Sequence, residues 1–217
     1  MTAGDTGLVA ELSRLDRAVY EAVARQDAPR LDRPMRALSL VANKALLWAG
    51  ISAALVAWGG DRGRRAASRG MASVGVTSAL CNLVLKPLSN RRRPHRARHR
   101  VPADRHVKMP GSSSFPSGHA ASAFAFATAV GAEMPALSLP LGALATLVAY
   151  SRVHTGVHYP GDVVAGAVIG AATGHVVARA VDRFAAGGDG PPAAPRPEED
   201  RGEQAAQAAR GGIGAPR

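Results

Sequence analysis

The sequence predicts an all-α protein, a membrane-embedded helical bundle of about five transmembrane helices preceded by an amphipathic N-terminal helix. The chain of 217 residues is 47% hydrophobic, and its apolar residues are segregated into long runs separated by arginine-rich segments. Residues 45–60 and 163–177 hold no Asp, Glu, Lys or Arg. A soluble bundle also has apolar helices of this length, but uninterrupted uncharged runs favour a lipid environment.

The first predicted element is an amphipathic helix within residues 1–36. Its apolar residues recur at helical spacing with charged residues between them: Leu8, Leu12, Leu15, Val19 and Val23. This segment is too charged to span a bilayer, so it suits either a membrane interface or packing against the rest of the domain. No basic stretch followed by an apolar core stands at the start, and we expect no cleaved signal peptide.

Five apolar segments follow, over residues 37–59, 71–88, 117–134, 137–151 and 162–184. A bilayer core about 30 Å thick needs about 20 helical residues. The first and last segments reach that length, whereas the third and fourth are short. The last segment carries Gly166, Gly170 and Gly174 on one helical face, which in lipid lets two helix backbones approach closely. We therefore predict one transmembrane domain over residues 37–185.

Composition constrains the remainder of the chain. Residues 186–217 are dominated by Gly, Pro, Ala and mixed charges without an apolar period, which predicts a disordered tail. The net charge of +11 indicates an anionic partner: phosphate, an acidic lipid surface or nucleic acid. The single cysteine, Cys81, lies in an apolar run, so it has no intramolecular disulfide partner and suits a buried position.

Three short motifs supply the reactive groups. They are Lys86 with Arg93-Pro94, then Pro116-Ser117-Gly118-His119, then Ser151-Arg152 with His158 and Asp162. A phosphoester needs its negative charge balanced before a nucleophile approaches, and fixed cations stabilise the transition state. Lys86, Arg93 and Arg152 are the candidate cations. Ser117 and Gly118 stand where a helix begins, and a helix N-terminus binds anions.

The two motif histidines complete the predicted chemistry. One can attack phosphorus through a neutral ring nitrogen while the other protonates the leaving oxygen. The attacking ring must be held in one tautomer, which a carboxylate on its other nitrogen achieves. His158 and Asp162 are four residues apart across a Tyr-Pro-Gly turn, so the carboxylate can reach back to the imidazole. Asp162 also suits the start of the last helix as a cap, and both roles are compatible.

The three motifs closely resemble the signature of the type 2 phosphatidic acid phosphatases, the lipid phosphate phosphatase superfamily: K-x6-R-P, P-S-G-H and S-R-x5-H-x3-D. Every signature position matches, and the resemblance covers residues 37–184. It implies that His158 is the nucleophile, Asp162 its orienting partner and His119 the general acid. The phosphoryl-binding residues that it implies are Lys86, Arg93, Ser117, Gly118 and Arg152. It also implies that no metal or other cofactor is needed.

The expected function is hydrolysis of a phosphate or diphosphate monoester of a membrane lipid, prenyl or phosphatidate-like, through a phosphohistidine. One alternative is a vanadate-dependent haloperoxidase, a class that resembles the same motif set but is typically larger and soluble. Another is a membrane protein that only binds phospholipid, which would need neither a general acid nor an oriented nucleophile. The expected partners are the lipid phosphate substrate and membrane lipids.

The arginine-rich loop over residues 91–108 suggests nucleic-acid binding in isolation. It carries no aromatic residue for base stacking and lies between two spans, so we expect anionic headgroups or a phosphorylated substrate instead, and no nucleic acid. Its histidines, His95, His99 and His106, lack carboxylates or thiols at ligand spacing, which predicts a solvated loop and no metal site. His154 is close in sequence to the third motif and could line the pocket.

The orientation of the bundle is not fixed by charge, because arginines flank both of its sides. The resemblance implies a site at the outer face of the cell membrane. Membrane members of that family commonly have six spans, whereas this chain shows five and an amphipathic helix. If the first span is missing, the N-terminal helix lies on the same side as the site, along the membrane surface near the point of substrate access.

Overall fold

The structure, a computed structural model, describes residues 3–187. Within that range it is helical and contains no β-strand, and it has several apolar helices able to cross a membrane. The predicted fold class is confirmed. The predicted tail lies outside the described residues from residue 188 onward. Contacts define one compact unit over Met1–Val181 and a second over Asp182–Arg217; the predicted domain boundaries stay predictions.

Eight α-helices follow one another in the described range. They are α1 Ala3–Arg25, α2 Pro29–Val41, α3 Leu46–Trp58, α4 Gly60–Ala79, α5 Lys86–Leu88, α6 Gly118–Glu133, α7 Ser138–His154 and α8 Pro160–Gly187. A π-helical segment, Leu80–Leu85, joins α4 to α5. The helical stretch is therefore continuous from Gly60 to Leu88, and Lys86 lies near its C-terminal end. Cys81 in this segment is fully buried, as predicted.

Three stretches among the described residues are long and apolar enough to cross a membrane: Gly60–Leu88, Pro135–His154 and Pro160–Phe184. Helices α2 and α3 together make a fourth candidate, bent by 73°. The segment predicted over 117–134 forms α6, which has 16 residues and is largely buried against α4 and α7. Helix α6 is shorter than a bilayer requires. By length and composition, three or four of the described helical stretches can therefore span a membrane, whereas about five spans were predicted.

The first apolar segment, residues 37–59, was expected to form one helix, and that expectation is wrong. Helix α2 ends at Val41, a 3-10 turn occupies Asn43–Ala45, and α3 begins at Leu46. Ala45 has a φ of +59°, in the left-handed region that residues other than glycine rarely adopt and that does not continue an α-helix. The chain therefore bends here, and the bend presents Asn43.

The second apolar segment begins earlier than predicted. Helix α4 starts at Gly60, so the arginine-rich stretch before residue 71 forms its first turns. Arg65 and Arg69 pair with Glu133 at the end of α6, at 3.0 and 2.6 Å. These ion pairs tie the ends of α4 and α6 together, far along both helices from the three motifs.

The glycine face of α8 makes the predicted close approach to another helix, and that helix is α6. A Cβ added at Gly166, Gly170 or Gly174 would come within 2.4, 2.0 or 2.5 Å of a backbone oxygen of α6 or its cap. Such distances leave no room for a side chain, so glycine is required for this approach. Because His119 begins α6 and Asp162 begins α8, the pairing brings two motifs to one end of the bundle.

Helix α1 covers the predicted amphipathic segment. One face packs on the domain, where Tyr20 is fully buried and contacts the cluster formed by α7 and the start of α8. The opposite face exposes Leu8, Leu12 and Leu15, each at more than half of its surface. The helix thus packs on the domain and keeps an exposed apolar face, and it lies at the same end of the bundle as the motifs.

Candidate active site

His158 lies in the turn between α7 and α8 and is 2% exposed. Its Nε2 is 3.2 Å from Nη1 of Arg93, and its Nδ1 is 3.6 Å from Oδ2 of Asp162. A guanidinium only donates hydrogen bonds, so Nε2 accepts and the ring proton is on Nδ1, facing the carboxylate. This tautomer keeps the Nε2 lone pair on the side of the ring where Arg93 lies.

The protonation state of His158 also suits a nucleophile. Burial lowers its pKa to about 4, the charges of Arg93 and Arg152 act in the same direction, and Asp162 opposes them. The imidazole is therefore uncharged at neutral pH, which is the form that attacks phosphorus.

The carboxylate of Asp162 is fully buried and held by three donors. Arg91 Nη1 donates to Oδ1 at 2.7 Å, while Ser114 Oγ and the Tyr159 backbone amide donate to Oδ2 at 2.5 and 2.9 Å. The bond to Tyr159 caps the start of α8, so Asp162 caps the helix and faces the histidine at once. With three donors on its two oxygens, the carboxylate has one orientation.

Arg93 is held mainly by backbone oxygens. Its guanidinium donates to the carbonyls of Ser112, Ser113 and Val157 at 2.8, 3.1 and 2.9 Å. These bonds fix a cation directly against Nε2 of His158. A phosphoryl group that reached this nitrogen would therefore meet a positioned guanidinium.

The other two predicted cations are also bonded to neutral groups. Lys86 Nζ donates to Asn82 Oδ1 at 2.8 Å, and the buried Arg152 donates to the hydroxyl and carbonyl of Ser39. Among the described residues, Nε of Arg152 has no hydrogen-bond partner. No carboxylate in the described range pairs with Lys86, Arg93 or Arg152. Three neighbouring positive charges with no directly paired carboxylate repel one another, and an anion between them would relieve that repulsion.

His119 occupies the first turn of α6. Its Nε2 lies 2.8 Å from Oδ1 of Asn43, the residue presented by the bend between α2 and α3. The three cations and His158 are all within electrostatic range of this ring. The second histidine thus faces the same charged region from another side, held by a neutral amide.

The remaining residues of the second motif shape the start of α6. Ser117 is the N-cap, and its side chain accepts from the Ala120 amide. A Cβ added at Gly118 would lie 3.5 Å from Nζ of Lys86, so Lys86 passes close over the backbone at this point. The α6 N-terminus and the lysine therefore border the same space.

That space is a cavity of about 260 Å³ lined by both polar and apolar residues. Its lining residues are Ala42, Ala45, Trp48, Ser78, Asn82, Lys86, Gly118, His119 and Ser122. Its polar lining includes a cation, a histidine and an amide, and its apolar lining comes from the bend and from α3. An amphiphile with an anionic head matches this distribution.

The structure brings all three motifs together, and it adds residues that the sequence did not single out. Arg91, Ser114 and the Tyr159 amide hold Asp162, and Asn43 holds His119. Nothing distinguished Arg91 from its two arginine neighbours or Ser114 from the serines before it. The catalytic and phosphoryl-binding roles of the motif residues stay predictions.

His154 lies outside the cavity. Its Nε2 is 2.9 Å from Oδ1 of Asp32, which also accepts from Nε of Arg105 at 2.7 Å. This buried group ties α2, the loop and α7 together and supports the fold. Between residues 3 and 187, no group of three or more His, Cys, Asp or Glu side chains is arranged to hold a metal ion.

Comparison with known families identifies a family model over more than half of the chain. The family model described as the PAP2 superfamily matches residues 70–185, which include all three motifs.

Two curated relatives show the extent of sequence similarity. Decaprenylphosphoryl-5-phosphoribose phosphatase of Mycobacterium tuberculosis is 39% identical over 95 residues, 44% of this chain and 50% of that protein. Lipid A 4'-phosphatase of Bacteroides thetaiotaomicron is 35% identical over 96 residues, 42% of this chain and 43% of that protein. The chain thus spans half or less of the length of these relatives.

Two solved structures share the fold. A transmembrane PAP2 type phosphatidylglycerolphosphate phosphatase from Bacillus subtilis superposes with a TM-score of 0.62 at 24% identity, covering 80% of this chain and 87% of that one. LpxE of Aquifex aeolicus gives a TM-score of 0.58 at 24% identity, covering 76% and 95%. At this identity the likeness concerns the fold.

Proposed function

Because the chain belongs to the PAP2 superfamily, we propose that it is a membrane lipid phosphatase that hydrolyses a phosphate or diphosphate monoester through a phosphohistidine intermediate. The observation that carries this proposal is a neutral, oriented histidine with Arg93 against its Nε2 and Arg152 within electrostatic range, neither cation being paired with a carboxylate. Binding an anion would need the cations alone. The oriented tautomer of His158 and the second histidine add what bond breaking requires.

In the first step, Nε2 of His158 forms a bond to phosphorus while the bond from phosphorus to the lipid oxygen breaks. The leaving oxygen takes a proton from the imidazolium form of His119, which the bound phosphate dianion stabilises against the neighbouring cations. Asp162 stabilises the positive charge that develops on the phosphorylated imidazole, and Arg93 moves its hydrogen bond from Nε2 to the phosphoryl oxygens. In the second step water attacks phosphorus, His119 accepts its proton, and the N–P bond breaks to release phosphate and neutral His158.

A lipid substrate is favoured by the cavity. Its lining combines Lys86 and His119 with the apolar residues Ala42, Ala45 and Trp48. A phosphorylated lipid that arrives laterally from the bilayer would place its head at the cations and its first carbons along α3. The relatives are named for removing phosphate from prenyl-linked, lipid A or glycerophospholipid substrates, so monoesters of these lipid classes are the first candidates.

The membrane side of the site is also part of the proposal. We place it at the extracytoplasmic face of the cell membrane, as the family resemblance implies.

The test is phosphate release by purified, detergent-solubilised protein in EDTA. The substrates are a prenyl diphosphate, a prenylphosphoryl phosphosugar, phosphatidate and phosphatidylglycerophosphate. The wild type should release phosphate from at least one of them, and His158→Ala should reduce the rate at least about 10,000-fold because the nucleophile is gone. His175→Ala is the matched control, since His175 is exposed on α8 and distant in sequence from the motifs.

Other outcomes separate the alternatives. Tight binding of these lipids without release by the wild type would support a phospholipid-binding protein. Halide oxidation with vanadate and peroxide, without phosphatase activity, would support a haloperoxidase. Normal release by His158→Ala would refute the phosphohistidine step.

A further inference from the structure

A polar chain outside the three motifs links the N-terminal helix to the candidate nucleophile. Asp16 of α1 accepts a hydrogen bond from Nη2 of Arg91, and Nη1 of the same guanidinium donates to Asp162 at 2.7 Å. The other oxygen of Asp16 accepts from the Gly161 backbone amide at 2.6 Å. The Asp16 side chain is 10% exposed and that of Asp162 is fully buried.

We propose that Asp16 is a positioning residue for the His158 and Asp162 pair. Helix α1 would then help to orient the active-site carboxylate. The inference rests on the proposed phosphatase function. Asp16 contacts no atom that reacts; it acts through Arg91 and through the first turn of α8.

The first route runs through the guanidinium. Arg91 is one third exposed, so without a second partner its side chain would lose its fixed position to hydration and rotation. Asp16 accepts from one terminal nitrogen of the guanidinium and Asp162 accepts from the other. The guanidinium carbon also lies 4.8 Å from the centre of the Tyr159 ring. The arginine held in this way presents one donor to Asp162 in a constant direction.

The second route runs through the backbone of α8. Gly161 is the residue before Asp162, and its amide is one of the free donors in the first helical turn. A carboxylate there satisfies that donor and complements the helix dipole. A Cβ at Gly161 would lie 3.2 to 3.3 Å from the carboxyl atoms of Asp16, so the two elements are in close contact. Asp16 thereby fixes the turn that sets the direction of Asp162.

Both routes from Asp16 end at Asp162, which a general attachment of α1 would not require. The helix is already packed on the domain by Tyr20 and Ala24, which are 0% and 5% exposed. Attachment therefore does not depend on a buried carboxylate. An acidic side chain placed between Arg91 and Gly161 has its main consequence for the orientation of Asp162.

The test compares Asp16→Asn with Asp61→Asn in the full-length protein, on a lipid phosphate that the wild type hydrolyses. Asparagine keeps the shape of Asp16 and removes its charge, so we expect kcat to fall about tenfold while KM stays within about twofold. Asp61 is the control, because it pairs with Arg64 on the exposed surface of α4 and should change neither constant. The kcat and KM split separates positioning of the nucleophile from a loss of substrate binding.

A double variant tests the route. If Asp16 acts through Asp162, adding Asp16→Asn to Asp162→Asn should reduce kcat no further, whereas independent effects would multiply. Arg91→Lys provides a second variant should Asp16→Asn fail to elute as a folded protein: an ammonium cannot bridge two carboxylates as a guanidinium does, and the same fall in kcat is expected.

Three results would overturn the inference: an unchanged kcat in a folded Asp16→Asn protein, a rise in KM alone, or multiplicative effects in the double variant. If the wild type is active and one of these is found, the proposed function stands and only the role of Asp16 is lost. If the wild type releases phosphate from no lipid, the proposed function fails and the inference fails with it.

Discussion

The two histidines of the site are held in contrasting ways. His158 is 2% exposed and lies between two charged groups, with Arg93 at one ring nitrogen and Asp162 at the other. His119 is bonded to the neutral side chain of Asn43 and borders a cavity of about 260 Å³. One ring is enclosed and fixed, and the other lies beside open space.

This contrast matches two different chemical tasks. A nucleophile must present one lone pair in one direction, so charged partners that select its tautomer are useful. A general acid must reach leaving groups of different shapes, and it takes its proton back from the water that attacks in the second step. A neutral amide partner and an adjacent cavity permit both. The partners of the two rings are therefore consistent with the roles proposed for them.

Replacing the carboxylate beside His158 gives the largest effect that bears on this comparison. An asparagine at position 162 can present its N–H to Nδ1 and thereby stabilise the wrong tautomer, with the proton on Nε2. We expect Asp162→Asn to lower kcat about 1,000-fold with little change in KM. Steady-state kinetics on the best lipid substrate would measure it.

The matched control for Asp162→Asn is Asp182→Asn, at an exposed carboxylate further along α8, which should leave kcat unchanged. A loss of less than about tenfold in Asp162→Asn would mean that the tautomer of His158 is set without the carboxylate. Arg93 and Asp162 would then only support the fold around His158. The difference between the surroundings of His158 and His119 would no longer indicate different chemical roles.

The residues in this comparison differ in how well the sequence predicted them. The motif spacings placed His158 four residues before Asp162, and the helix start at Pro160 between them brings the two residues together, so local geometry sufficed. Asn43 meets His119 only because the chain bends at Ala45, whose left-handed φ has no signal in an Ala-rich run. Contacts between distant segments depend on such bends, which an apolar pattern does not encode.

The same reasoning applies to the helices. The four-residue spacing of glycines in α8 predicted a close approach to another helix, because such an interface repeats with the helix, and the structure identifies that helix as α6. The partner of Arg91 could not be predicted in this way. Asp16 lies 75 positions earlier on a helix whose charged face offers several carboxylates, and nothing in the sequence selects one of them.

The next prediction concerns His119, the histidine that borders the cavity. His119→Ala removes the general acid, so the loss should depend on how much the leaving oxygen needs a proton. We expect about a 100-fold fall in kcat for a lipid alkyl phosphate, and a fall of less than about tenfold for an aryl phosphate such as p-nitrophenyl phosphate, whose leaving group is stable as an anion.

His95→Ala is the control for His119→Ala, since His95 is exposed in the loop. Equal losses on alkyl and aryl substrates would contradict the acid role and indicate that His119 only helps to bind phosphate. His158→Ala should show no such dependence, because the nucleophile is needed for both substrates.

The smallest expected effect concerns pH and separates the two rings most directly. The pKa of His158 is lowered to about 4, chiefly by burial. A nucleophile must be deprotonated, so its ionisation limits kcat/KM on the acid side, whereas a general acid limits it on the alkaline side. As the pH falls from 7 to 5, the His158 ring stays neutral, and kcat/KM should show no loss from this group.

The lipid phosphate itself titrates with a second pKa of about 6, so its ionisation is measured separately and divided out of the profile. After this correction, the acid limb should be centred near pH 4. A corrected limb centred near 6.5, the ordinary value for histidine, would show that the ring is accessible to water and that the enclosure of His158 does not control its charge.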